Sequence, residues 1–311
     1  MLKSLFARLK PYLKTYLRWV VLGATLFFLA QTLKSNWQEV AEIRLRDRGG
    51  SFLVLAFGVT MLAHTWSGWV WGWILRECDQ SVSMLWATRV FLKTNVAKYL
   101  PGNIWHFYGR IREATQIGLS VMAATASVVL EALLMAASAL PMVALALPGH
   151  RADLSVVALA AVLVGIHPRW LNPVLERLER VKLKGKLSDN PLFRMRRYPL
   201  RPLLGEVAFV GLRGLGFLLA WAAITPWEID RLSLVFGGFS LAWLLGLVIP
   251  GAPGGIGVFE ATAVAVLDGE FPAVTVLAAV ALYRLISVAA EALGAGLAVA
   301  LEGLRDRRRS D

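Results

Sequence analysis

The sequence predicts an all-α integral membrane protein, built as one polytopic domain over residues 1–311. Its composition is 57% hydrophobic and 17% charged, with a mean hydropathy of +0.59. Several apolar runs reach the length that a helix needs to cross a bilayer. The basic residues fall in blocks between these runs, which is typical of topology determinants and argues against a nucleic-acid site. The single cysteine, Cys78, excludes a disulfide framework.

Six full spans are predicted from the apolar runs. They lie at residues 12–33, 51–75, 117–147, 153–170, 202–224 and 272–301. The N-terminus is basic and then apolar, like a signal peptide. Because no small-residue cleavage site stands out and more spans follow, we interpret 12–33 as an uncleaved first helix.

Two further apolar segments each run into a Pro-Gly motif. The motif at Gly246–Glu260 places two prolines and five glycines in an apolar run. Proline removes a backbone donor and glycine loosens the helix, so a continuous span is not expected there. We predict a re-entrant hairpin with arms at 232–249 and 255–267. A looser motif at Lys98–Arg110 predicts another hairpin, with arms at 81–99 and 103–115; an amphipathic helix on the cytoplasmic surface is the alternative.

The orientation follows from the basic residues. The segment 167–203 carries ten Lys or Arg and three acidic residues, which opposes its translocation. With both termini on the cytoplasmic side, 25 basic residues lie inside and six lie outside. The sequence therefore predicts a multi-pass protein of the cytoplasmic (inner) membrane with N- and C-termini in the cytoplasm.

This topology predicts an inverted repeat. Residues 1–150 form one half and residues 151–311 the other, each with three spans and a hairpin. Since each half has an odd number of crossings, the second half is upside down relative to the first. The two Pro-Gly tips are expected to approach each other near the bilayer midplane, as in many secondary transporters.

Charged residues inside the spans are the first candidates for a binding site. Glu131 lies in the middle of a span, where a carboxylate costs several kcal/mol unless it is paired, protonated or hydrated. Arg284 and Glu291 share one face of the last span, and Arg213 shares the fifth span with Glu206. Arg284 is expected to pair with Glu131 or Glu260, or to bind a lipid phosphate. A purely structural ion pair remains the alternative for each of these residues.

The two motifs supply the other candidates. They are Lys98, Pro101, Gly102, Asn103, His106 and Arg110 in the first motif, and Pro250, Gly251, Pro253, Gly254, Gly255, Gly257 and Glu260 in the second. Basic groups among aromatic residues at the cytoplasmic interface suit anionic headgroups, or they serve as ordinary positive-inside anchors. The glycine-rich backbone at 251–257 is expected to offer N–H groups to a phosphate. We interpret His64 as an interhelical hydrogen-bonding residue.

These motifs resemble a known family. The run Pro-Gly-Gly-Ile-Gly-Val-Phe-Glu at 253–260, the upstream Lys-Tyr-Leu-Pro-Gly at 98–102 and the span around Glu131 are similar to the flippase-like transmembrane region of lysylphosphatidylglycerol synthases. That region also occurs alone in bacterial and archaeal membrane proteins. In the synthases a soluble aminoacyltransferase domain follows the region. Here the chain ends about ten residues after the last predicted span, so the resemblance does not imply synthase activity.

Together these observations predict a lipid flippase or lipid transporter that moves a phospholipid or lipid-linked headgroup across the membrane. The alternatives are an ion-coupled small-solute transporter and a non-catalytic accessory subunit of lipid or polysaccharide synthesis. The scattered histidines and the absence of a Walker loop predict no metal, no cofactor and no enzymatic activity. The expected partners are membrane lipids with anionic or zwitterionic headgroups. The sequence leaves open a homo-oligomer and a partner enzyme of lipid synthesis.

Overall fold

The structure is a computed structural model that describes residues 44–100, 102–144, 146, 150–182, 195, 197–249 and 252–310. The predicted first span, 12–33, lies outside these residues, and so do Pro101, Pro250 and Gly251. Within the described ranges every regular element is a helix. The all-α prediction is therefore confirmed for this part of the chain.

The α-helices follow the predicted apolar runs closely. They are α1 (Gly49–Glu77), α2 (Met84–Asn95), α3 (Trp105–Gln116), α4 (Val121–Ala144), α5 (His150–Gly165), α6 (Pro168–Lys182), α7 (Leu200–Ala222), α8 (Leu232–Val248), α9 (Val258–Leu267) and α10 (Ala273–Ser310). In the part of the chain that the structure describes, 3₁₀ segments lie at Val96–Tyr99, Ile229–Arg231 and Pro253–Gly255.

Among the described residues, five stretches are long and apolar enough to cross a membrane. They are Gly49–Glu77, Val121–Ala144, Leu200–Ala222, Ile229–Val248 and Ala273–Leu304. Four of them contain α1, α4, α7 and α10, which match predicted spans. The remaining stretch was predicted as a hairpin arm, and by length and composition alone it also qualifies as a span.

The predicted span at 153–170 is not one straight helix. Helix α5 ends at Gly165, α6 begins at Pro168, and the two helices differ in direction by 65°. A proline at the first position of a helix is favourable, but it disfavours helical backbone at the preceding residue. The bend therefore follows from Pro168. The pair counts as a sixth candidate span only if the bent helices are taken together.

Helices α1 and α7 form a long antiparallel pair. The indole Nε1 of Trp66 donates a hydrogen bond of 2.8 Å to the carbonyl of Gly205, near the start of α7. At the other end of the pair, Arg46, which precedes α1, donates from Nη1 to the carbonyl of Thr225, which follows α7, at 3.0 Å. This pairing shows that the two helices run in opposite directions.

Helices α8 and α9 form a helical hairpin, here called the second hairpin. Gly238 of α8 lies against Val266 and Leu267 near the end of α9, whereas Gly246 lies against Gly255 near its start. At the base, Arg231 Nη1 donates to the carbonyl of Glu270 at 2.7 Å. The arms therefore run antiparallel, and the start of α8 lies beside the end of α9.

Helices α2 and α3 form the first hairpin in the same way. A Cβ on Gly109 would lie 2.9 Å from the side chain of Thr94. Leu119, which follows α3, packs in one apolar cluster with Val82 and Met84 at the start of α2. These helices occupy the predicted arms at 81–99 and 103–115.

The remaining contacts place the two hairpins tip to tip. Helix α4 packs against α8, and α10 packs against α2. The 3₁₀ segments at the ends of the two first arms contact each other, and a Cβ on Gly254 would lie 2.8 Å from the Tyr99 ring. A cluster of aromatic rings from α7, α8, α9 and α10 supports the second hairpin; its rings are Phe217, Phe239, Phe259 and Tyr283.

Candidate functional site

A cavity of about 120 Å³ lies where the two hairpin tips meet the long helices. This volume holds several water molecules. Four basic side chains line it, namely Lys98, Arg110, Arg213 and Arg284, with Glu131 as the acidic one. The rest of the lining is largely aromatic and includes Phe91, Phe107, Phe209, Trp243, Phe259 and Tyr283. The cavity therefore combines apolar walls with an excess of positive charge at its surface.

The first ion pair joins the first hairpin to the helix that follows it. Arg110 on α3 pairs with Glu131 on α4, and both side chains are buried. The guanidinium carbon of Arg110 also lies 4.2 Å from the centre of the Phe91 ring, a favourable cation–π position. The pairing with Arg110 offsets the cost of burying the carboxylate of Glu131. Pairing with Arg284, one of the two predicted possibilities for that arginine, does not occur.

The second ion pair joins the second hairpin to α10. Arg284 contacts Glu260, with Nη2 and Oε2 3.1 Å apart, and it donates from Nη2 to the carbonyl of Gly255 at 2.9 Å. The N–H of Gly257 donates to Glu260 Oε2 at 2.7 Å, and the N–H of Gly255 donates to the carbonyl of Ala252. The tip thus uses these two N–H groups internally and turns carbonyl oxygens toward Arg284. This differs from the expectation that they are free to bind a phosphate.

A third cluster links α1, α7, α10 and the first hairpin. Lys98 Nζ lies 2.6 Å from Glu291 Oε1, which is also 3.1 Å from His64 Nε2. The same histidine nitrogen lies 3.1 Å from Arg213 Nη1, and Arg213 Nη1 donates to Ser287 Oγ at 3.0 Å. His64 does bridge helices, as predicted, and it also lines the cavity.

Glu206 stands beside the first ion pair without a partner of its own. Its side chain is fully buried in α7, and neither carboxylate oxygen makes a hydrogen bond to any part of the chain that the structure describes. It lies close enough to Arg110 and Glu131 to interact with them electrostatically. The sequence had indicated only that it shares a helix with Arg213.

The predicted site residues converge on this cavity. Those that line it are Lys98, Asn103, His106, Arg110, Glu131, Arg213, Gly254, Gly255 and Arg284. Glu260 and Glu291 lie behind the lining and hold Arg284 and Lys98. Gly102 and Gly257 have positive φ angles of 98° and 83° and shape the two tips without lining the cavity. Pro253 begins the 3₁₀ segment at the second tip.

Several lining residues were not among the predicted site residues, namely Asn95, Tyr99, Tyr283 and Ser287. Helical spacing carries a signal for some of them. Ser287 lies three residues after Arg284 and four before Glu291, so the three share one helix face. Asn95 precedes Lys98 by three residues on the first arm. A polar stripe of this kind on an apolar helix indicates a common cavity.

A scan of protein-family models and a search of curated proteins give no match to this chain. No group of three or more His, Cys, Asp or Glu residues in the described ranges could hold a metal ion. The basic groups that line the cavity are guanidinium, ammonium and imidazole groups. Such groups bind oxyanions.

Proposed function

We propose that the protein is a lipid flippase or lipid transporter that binds an anionic headgroup in the cavity between the hairpin tips. The observation that carries the proposal is the cavity lining, in which four cations face the open volume with one carboxylate. Guanidinium groups bind phosphate oxygens in a bidentate manner. The flippase-like resemblance of the two Pro-Gly motifs points in the same direction.

An inverted repeat supports an alternating-access mechanism. The elements correspond in order: α1 with α7, the first hairpin with the second, and α4 with α10. Their contacts also occur in corresponding pairs, since α4 packs on α8 as α10 packs on α2. Even the ion pairs correspond, although with the charges exchanged. In this proposal the two hairpins enter the membrane from opposite sides and meet at the midplane.

The surface around the cavity favours a lipid over a small soluble solute. Helix α3 turns His106 and Arg110 inward but leaves Trp105 and Tyr108 exposed. The second hairpin likewise exposes Val248, Ile249 and Ile256 near its tip. Acyl chains can therefore stay against an apolar outer surface while a polar headgroup enters between the hairpins.

The cavity volume agrees with a substrate whose headgroup enters the cavity while its acyl chains stay outside. About 120 Å³ is well below the roughly 300 Å³ or more that encloses a drug-sized ligand. It suits a headgroup and not a whole lipid. In the proposed cycle the headgroup contacts the basic lining, and rearrangement of one hairpin relative to the other opens the cavity to the opposite leaflet.

The test is lipid movement in proteoliposomes. Fluorescent phosphatidylglycerol should become accessible to an impermeant quencher in vesicles that contain the purified protein but not in empty vesicles. Arg284→Ala should reduce the rate by at least about tenfold, because a contact of about 1.4 kcal/mol is lost. Arg112→Ala, on the first hairpin but away from the cavity lining, is the control and should not change it.

Two outcomes would contradict the proposal. Equal quenching with protein-free vesicles would exclude lipid movement. Uptake of soluble glycerol phosphate without movement of the labelled lipid would instead indicate the small-solute transporter.

A further inference from the structure

Arg213 differs from the other three basic residues of the cavity. Lys98, Arg110 and Arg284 each contact a carboxylate, but no carboxylate of the described residues lies within ion-pair distance of Arg213. Its guanidinium is buried, lies 5.1 Å from the centre of the Tyr283 ring and hydrogen-bonds only through Nη1. Its Nε, like those of Arg110 and Arg284, has no hydrogen-bond partner. A buried guanidinium whose fork is mostly unused is a site for an oxyanion.

His64 makes two contacts that it cannot satisfy together. Its Nε2 atom lies 3.1 Å from Arg213 Nη1, a donor, and 3.1 Å from Glu291 Oε1, an acceptor. If Nε2 is protonated, it donates to Glu291, but its hydrogen then faces the N–H donor of Arg213. If Nε2 is unprotonated, it accepts from Arg213, but its lone pair then faces the carboxylate of Glu291. His64 therefore serves either Arg213 or Glu291 at one time.

We propose that Arg213 binds the phosphate group of the ligand, and that His64 couples this binding to the first hairpin. Without ligand, His64 accepts from Arg213. When an oxyanion takes the guanidinium, the neutral imidazole releases its Nδ1 proton to water and takes one at Nε2, so that Nε2 becomes the donor to Glu291. This inference rests on the proposed function of the cavity and names the group that its ligand must carry.

The consequence reaches the hairpin tip through Glu291. The oxygen that faces His64, Oε1, also accepts from Lys98 Nζ at 2.6 Å. Lys98 lies in the 3₁₀ segment Val96–Tyr99, whose Tyr99 packs against Gly254 of the second hairpin. A new donor to Oε1 shares the charge of that oxygen with Lys98 and so weakens the hydrogen bond from Lys98. Occupancy of Arg213 thus changes the contact that holds the first arm.

The experiment measures binding by the purified full-length protein in a neutral detergent. The probes are short-chain phosphatidylglycerol, the matching diacylglycerol and inorganic phosphate. Phosphatidylglycerol should bind and diacylglycerol should not. Competition by inorganic phosphate at similar concentration would identify free phosphate as the natural source, and its failure to compete would identify the lipid headgroup.

Two variants on α7 test the role of Arg213. Arg213→Gln should weaken phosphatidylglycerol binding by at least about tenfold, because charge-assisted hydrogen bonds are lost. Arg201→Gln, on the exposed surface of the same helix, should leave the dissociation constant unchanged. Equal affinities for Arg213→Gln and the native protein would overturn the proposal.

His64 is tested by its own chemistry. A glutamine amide can accept from Arg213 and donate to Glu291 simultaneously. In His64→Gln an anion would therefore break the hydrogen bond to Arg213 without a new one forming to Glu291, and anion binding should be severalfold weaker. Nitrogen NMR of the native protein should show His64 Nε2 changing from acceptor to N–H donor when phosphatidylglycerol binds. An unchanged His64 tautomer at saturation would contradict the coupling.

The binding data also separate this inference from the proposed function. Tight binding that depends on Arg213, without lipid movement in vesicles, would exclude transport and leave the anion site standing. Lipid movement with equal binding by Arg213→Gln would exclude the Arg213 site alone.

Discussion

The two ion pairs occupy corresponding places in the fold but differ in burial and in their neighbours. In the first, the hairpin supplies Arg110 and the following helix supplies Glu131, and these side chains are only 3% and 1% exposed. In the second, the hairpin supplies Glu260 and the following helix supplies Arg284, and the exposures are 24% and 10%. In both pairs the second arm of a hairpin contacts the helix that follows it, but the positions of the positive and negative charges are exchanged.

The exchange of charges has a consequence for the tips. A carboxylate can only accept hydrogen bonds, whereas a guanidinium donates up to five. Arg284 on α10 can therefore hold Glu260 and the backbone carbonyl of Gly255 together. Glu131, at the corresponding place on α4, has no hydrogen to donate to a carbonyl when it is ionised. We infer that the first pair mainly fixes a helix contact, whereas the second also fixes the shape of its hairpin tip.

The largest expected effect comes from breaking the buried first pair. Glu131→Leu leaves the guanidinium of Arg110 buried without its partner, which costs about 3–5 kcal/mol. The double variant Arg110→Met with Glu131→Leu should recover part of this loss, because an apolar pair of similar size is nearly neutral, while the buried Glu206 loses its neighbouring cation. The measurement is thermal unfolding in detergent. Arg112→Met on the same helix is the control. A double variant no more stable than Glu131→Leu would show that the pair is not the main contact of these residues.

A smaller effect is expected from the backbone of the second tip. Gly254 has a φ of 57°, a left-handed conformation that costs other residues about 1–2 kcal/mol. In Gly254→Ala the new Cβ would also meet the Tyr99 ring at 2.8 Å, and overpacking adds about 1–3 kcal/mol. Adding Tyr99→Leu should remove the second cost and leave the first.

The first tip provides the matched comparison for this glycine. Asn103 also has a positive φ, 52°, but asparagine tolerates that conformation. Asn103→Gly should therefore change the stability by less than about 1 kcal/mol. If Gly254→Ala proved as mild, the contact between the tips would be looser than the structure indicates.

Local patterns predicted most of the fold. The ends of α1, α7 and α8 follow from apolar run length, and the break between α8 and α9 follows from the Pro-Gly motif. Such features depend on neighbours in the chain. The bend at Pro168 was missed because an apolar run with one proline also suits a continuous span.

The pairing of charges could be predicted only as alternatives. Arg284 had two candidate partners, and the register of α9 against α10 selects Glu260. The partner of Glu131 was left open among the buried arginines, and the turn between α3 and α4 selects Arg110. The double contact of His64 depends on three helices at once. The spacing of residues within a single helix cannot predict such a contact.

The smallest effect should come from the second pair, and it tests the comparison directly. In Glu260→Gln the amide oxygen can still accept from Arg284 and from the N–H of Gly257, so the geometry of the tip can persist. Because Glu260 is 24% exposed and the amide can keep both contacts, the cost should stay within about 1 kcal/mol. Glu131→Gln makes the same chemical change beside a guanidinium that is almost fully buried, and it should lower the unfolding temperature more. The two variants are compared by thermal unfolding under one set of conditions. Equal shifts would mean that burial does not distinguish the pairs, and the contrast between a helix contact and a tip contact would then fail.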